Sequence, residues 1–140
     1  MQLDLSRVSA VVATFALALA LSACGKKEEP VTYRFELAGQ VQKTSPGVNV
    51  VPIRLIKMPG NEPVKGAVIF ETRADMGPEN MAGMTAPVKV LPESQPGIYP
   101  IEVTFGDIWN RPGSWALTLA AKVQGETETA RGSVTVKLEP

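Results

Sequence analysis

Histidine is missing from this chain altogether. That absence excludes a Ser-His-Asp triad, a Cys-His pair and any His-ligated zinc or haem site. Cysteine occurs once, as Cys24, so the folded part has no internal disulfide and no thiol chemistry. Neither sign of charge is in excess: 14 Lys and Arg face 14 Asp and Glu. A balanced chain lacks the basic surface that nucleic acid requires. Glycine never forms a run of the kind that cradles phosphate between strand and helix. No carboxylate pair stands apart from solvated surface charge as a general acid and base. The expectation is a protein that is not an enzyme, with no catalytic residues.

Long apolar runs are also scarce, and the single candidate lies at the N-terminus. Val8 to Leu21 follows a short segment containing Arg7 and ends in Leu21-Ser22-Ala23-Cys24. A charged start, an apolar stretch and small residues at the cleavage point are the layout of a secretory signal. The run falls short of the about 20 residues that span a bilayer. Cys directly after Leu-Ser-Ala makes the segment resemble a bacterial lipoprotein signal. The resemblance implies a signal peptide over residues 1–23, a lipid on Cys24 and acylation of the new N-terminus. The membrane is then a partner through that lipid. Residues 24–30 read as the lipidated Cys and a polar tether, and residues 31–140 as one domain. Gly25, where an Asp would suggest inner-membrane retention, implies the periplasmic face of the outer membrane over the inner.

The remaining chain alternates in the manner of strands. Val31, Tyr33, Phe35 and Leu37 interleave with Thr32, Arg34 and Glu36, the period of a half-buried strand. Val48 to Met58 is a second strand with Val51, Ile53 and Leu55 inward, and Pro52 predicts an edge position or a bulge. Further strands are expected over Lys65–Arg73, Ala86–Leu91, Ile98–Phe105, Ser114–Val123 and Ser133–Glu139. Trp115 shares a face with Leu117 and Leu119 and is structural. Gly39–Gly47, Asp75–Thr85 and Gly106–Gly113 read as loops. About seven short strands with regular turn signals predict an all-β, immunoglobulin-like sandwich.

One loop carries a concentration of chemistry. Three of the five methionines, Met76, Met81 and Met84, fall within Asp75–Thr85. Thioethers are soft, neutral donors that select Cu(I) or Ag(I) over hard cations and zinc. The alternative is packing over the end of the sandwich, since Met fills irregular gaps. By strand parity the loops after the first, third and fifth strands emerge at one end. Trp109 then shares an end with the methionines, either as an accessory cation–π face or as a cap on the core rim.

Several short motifs follow one another in a recognisable order. Pro63-Val64-Lys65-Gly66-Ala67 precedes the third strand, and Met76, Met81 and Met84 follow it. Pro96-Gly97-Ile98-Tyr99 and Pro112-Gly113-Ser114-Trp115-Ala116-Leu117 open later strands. In this order they resemble the YtkA-like/FixH-like domain over most of residues 31–138. The resemblance implies an immunoglobulin-like sandwich on an exported or membrane-tethered bacterial protein. It also implies copper handling, or a protein partner in heavy-metal efflux or oxidase assembly. The His common in such Met loops is absent here. Two functions therefore stay open: a soft-metal carrier using Met76, Met81 and Met84, or an interaction module of an envelope assembly with no metal of its own.

Overall fold

The computed structural model describes Gly25, residues 29–106 and residues 112–140. The expected signal peptide, Cys24 and Trp109 lie outside the described residues. Ten strands form two antiparallel sheets: β1 (Thr32–Leu37), β2 (Gln42–Ser45), β3 (Val48–Met58), β4 (Glu62–Pro63), β5 (Val68–Met76), β6 (Met81–Ala86), β7 (Val88–Val90), β8 (Ile98–Thr104), β9 (Gly113–Lys122) and β10 (Thr129–Leu138). One sheet runs β1-β3-β8-β7, with β2 and β4 added to the edges of β3; the other runs β10-β9-β5-β6. The described residues form an all-β sandwich.

Alternation builds the core. Val51, Ile53 and Leu55 of β3 and Tyr99, Ile101 and Val103 of β8 face Trp115, Leu117, Leu119 and Ala121 of β9 and Val134, Val136 and Leu138 of β10, all buried. Trp115 meets Phe105 edge-on, with ring centroids 5.0 Å apart. At the ends of β1 the expected apolar face thins out: Val31 and Leu37 are exposed.

Pro52 is neither on an edge nor in a bulge. It lies in the middle of β3, directly opposite Pro100 of β8. The Pro52 carbonyl accepts from Ala38 N–H, and the Pro100 carbonyl accepts from Leu91 N–H. Each proline's missing donor therefore points away from the other, toward Ala38 and toward Leu91. Those are the residues just past the ends of β1 and β7. A proline can sit in a central strand here because each neighbouring strand stops where the donor is lacking.

Ten strands stand among the described residues where about seven are expected: β4 is additional, Ala86 belongs to β6 and not to the strand after it, and β10 begins at Thr129, ahead of the expected Ser133. Gly39–Gly47 contains β2, a polar and exposed strand whose pattern carries no apolar face. The third strand is shifted to Val68–Met76 and has a bulge between Ile69 and Glu71. Asp75–Thr85 is not an irregular loop but the turn of the β5–β6 hairpin and most of β6. A Met-Ala-Gly-Met sequence has weak strand propensity, so its pairing with β5 was hidden.

The ends of the sandwich are set by this connectivity. The chain enters at the end that holds the start of β1 and the turn after β3. The β5–β6 turn, the end of β8 and the start of β9 lie at the other end.

Candidate functional site

The β5–β6 hairpin gathers the three methionines. Met76 and Met81 are register partners. The next paired residue on β6 is Thr85, opposite Asp75. The intervening Ala82, Gly83 and Met84 form an excursion with no partner in β5, and Arg73 Nη2 fastens it by donating to Ala82 O at 3.0 Å. Met76 is 2% exposed and belongs to the core, whereas Met81 and Met84 are half-buried and pack against that core from outside. The three residues thus share one hairpin but not one environment.

The turn is held by polar contacts that spacing alone did not reveal. Asp75 Oδ1 accepts from Gly77 N–H at 2.8 Å and Oδ2 accepts from Arg73 Nε at 2.9 Å. The Arg73 bond and then the Gly77 N–H hold the Asp75 carboxyl below its ordinary range, against the opposing pull of burial. Pro78 and Glu79 follow in a single 3-10 turn, and Asn80 closes it in the left-handed region at φ 59°. Asp-x-Gly-Pro, with Asn two residues beyond the Pro, is a turn signal that could have placed this hairpin. Glu79 Oε1 accepts from Ser114 N–H at 3.0 Å, tying the tip to the start of β9.

Gly113 is the reason Met76 can reach the end of the core. A Cβ at this glycine would stand 2.7 Å from Met76 Cε. On the outer side of the same glycine is a shallow recess of about 280 Å³ lined by Glu79, Pro112, Ser114 and Lys137. Pro112, which follows the segment containing Trp109, lines this recess beside Glu79, while Trp109 itself lies outside the described residues. Among the described residues no three His, Cys, Asp or Glu side chains gather as a metal site. Among the described residues the Trp115 indole N–H, fully buried, has no hydrogen-bond partner.

The YtkA-like family model matches residues 27–120, well over half of the sequence. The chain belongs to the YtkA-like family. No curated protein matches it. Among solved structures, the crystal structure of the yeast GGA1 GAE domain is similar at 13% identity, covering 76% of this chain and 100% of that one, with a TM-score of 0.39.

Proposed function

We propose that this protein is a non-enzymatic, lipid-anchored component of the bacterial envelope that holds a soft monovalent ion, Cu(I) or Ag(I), at the β5–β6 hairpin. The observation that carries this reading is the register pairing of Met76 with Met81, with Met84 half-buried on the same strand. Thioethers hold such an ion without burying a counter-charge. Burial orders the donors. Met81 and Met84 are reached from solvent, and Met76 joins from the core side beneath Gly113. The accessory aromatic group of this reading is Trp109, which lies outside the described residues.

Anchoring follows from the lipoprotein-like signal. The mature chain starts at lipidated Cys24, and several acyl chains hold it stably at the membrane. It faces the periplasm, with the outer membrane preferred. The tether enters at one end of the sandwich and the methionines lie at the other, so the hairpin is directed away from the bilayer. Cys24→Ala is expected to give an unprocessed or soluble form; fractionation identical to wild type contradicts the anchor.

A second reading is favoured by the burial of Met76. A methionine closed off by Gly113 is also a packing residue, and the domain is then an interaction module for an efflux or oxidase-assembly protein. Proton NMR of the methionine ε-methyls during titration with Ag(I) separates the two. Ion binding is expected to move the Met81 and Met84 methyl signals together, saturating at one equivalent. Signals unmoved by Ag(I) leave the module reading.

A further inference from the structure

A second surface lies at the opposite end of the sandwich, on the outer face of the β1-β3-β8 sheet. Arg34 and Glu36 of β1 stand beside Arg54 and Ile56 of β3, and Ile98 of β8 pairs with Arg54. Together with Pro63 and Pro96 they line a groove of about 460 Å³. Its lining is mostly polar, with Pro63, Pro96 and Ile98 as the apolar side chains that remain accessible. Ile56 is only 4% exposed although it points away from the core, because β4 and the flanking side chains cover it. Arg34, Arg54, Asn61 and Gln95 line the groove above it.

The groove is pre-built. Its wall is the turn at Gln95–Gly97, where Gly97 adopts φ 80° and packs against Pro63 so tightly that a Cβ would fall 2.6 Å from the proline Cβ. Glu93 clamps this turn by accepting from Gly97 N–H at 2.7 Å and from Gly66 N–H at 3.1 Å. Gly97 O in turn accepts from Leu55 N–H at 3.1 Å. The backbone lining the groove is therefore fixed before any ligand arrives.

Charge selects the ligand. Two guanidiniums share a single carboxylate: Arg34 Nη2 reaches Glu36 Oε2 and Arg54 Nη1 reaches Glu36 Oε1, both at 3.3 Å. Each contact is long and single, whereas guanidinium and carboxylate prefer two parallel bonds near 2.7–2.9 Å. Each arginine has five N–H donors, so most of the donor capacity remains after Glu36 is served. The lining charge is one Glu against two Arg, a net positive site beside the apolar surface of Pro63, Pro96 and Ile98.

We propose that this groove docks an acidic peptide segment of a protein partner, with an Asp or Glu held by Arg34 and Arg54 and a neighbouring aliphatic side chain against Pro63, Pro96 and Ile98. The built-in Glu36 occupies the carboxylate position in the unbound chain and yields to the ligand. An anionic bilayer fits less well, because the chain has no net positive charge to hold a charged surface. The site is separate from the methionine hairpin and needs no metal.

The test is selection of random heptapeptides displayed on phage against the full chain in detergent, with affinities of the enriched peptides read by fluorescence anisotropy. Circular dichroism confirms that each variant is folded. The expected peptides place Asp or Glu beside Leu, Ile or Val. Arg34→Gln combined with Arg54→Gln is expected to weaken them about tenfold or more. Glu36→Gln should tighten them by removing the internal competitor. No enrichment, or enriched peptides indifferent to the double Arg variant, overturns the proposal. So does Arg-dependent binding of phosphatidylglycerol vesicles with no peptide bound. The assay contains no copper, so its failure leaves the hairpin reading untouched, and failure of the hairpin reading leaves the groove.

Discussion

Met76 and Gly113 are fitted to one another: the methionine Cε fills the place beside the glycine where a side chain would begin, 2.7 Å from a Cβ at that position. Gly113→Ala is expected to destabilise the domain by about 1 to 3 kcal/mol through overpacking. The Cε is the far end of a flexible side chain, so a shorter residue at position 76 should relieve the clash. Met76→Ala alone leaves a cavity and should cost about 2 to 5 kcal/mol. The double variant Met76→Ala with Gly113→Ala should cost less than the sum. Urea unfolding of the four forms measures the coupling; strict additivity would show that the two residues do not touch.

Asp75 links the hairpin turn to pH. Its folded carboxyl titrates below the unfolded reference of 3.8 because the charged form is bonded to Arg73 and Gly77. The stability it contributes is therefore complete above that reference and is lost as pH falls through the lower folded value. Asp75→Asn should cost about 1 to 3 kcal/mol at pH 7. The gap between variant and wild type should close as pH is lowered below about 3.8. Denaturant midpoints of both forms across that range check it, and a gap independent of pH would contradict the assignment.

Tyr99 clamps the entry to β5. Its hydroxyl donates to Val64 O at 2.6 Å and accepts from Ala67 N–H at 2.9 Å. Burial raises the phenol above its ordinary 10.0, the Ala67 N–H opposes this, and the Glu93 charge adds to it. The stability involved is present below pH 10 and is lost as pH rises from there toward the higher folded value. Tyr99→Phe strands both backbone groups and should cost about 1 to 3 kcal/mol, a loss visible in the thermal midpoint at pH 7. A midpoint equal to wild type would remove the clamp.

Trp115 is fully buried against Phe105. Trp115→Ala should cost about 3 to 5 kcal/mol, a large part of a typical total of about 5 to 15 kcal/mol. Accumulation of the variant at wild-type level and midpoint would contradict its place in the core.

Strict alternation made the central strands legible. Val51, Ile53 and Leu55, and Trp115, Leu117 and Leu119, are buried as their spacing requires. Where alternation fails, so does the reading. Pro52 looked like an edge residue because its partner Pro100 is distant in sequence, and only the register shows two prolines facing each other. The hairpin looked like a loop because Met81–Ala86 is paired to β5 through a three-residue excursion rather than by propensity. The methionines were legible as a cluster, but the burial of Met76 depends on Gly113, far along the chain. The groove around Arg34 and Arg54 had no sequence signature, since its parts come from β1, β3, β8 and two turns.

The most direct test of the central claim is anaerobic titration of the full chain with Cu(I) against a competing chelator. The expected result is one equivalent of Cu(I) taken up by wild type and lost in Met81→Leu with Met84→Leu. That variant keeps the apolar volume and should lose less than about 1.5 kcal/mol per site. Met76→Leu should weaken binding without abolishing it, and Zn(II) should not compete, with neither His nor thiolate to hold it. No stoichiometric uptake by wild type, or uptake unchanged when Met81 and Met84 are both Leu, would contradict the account.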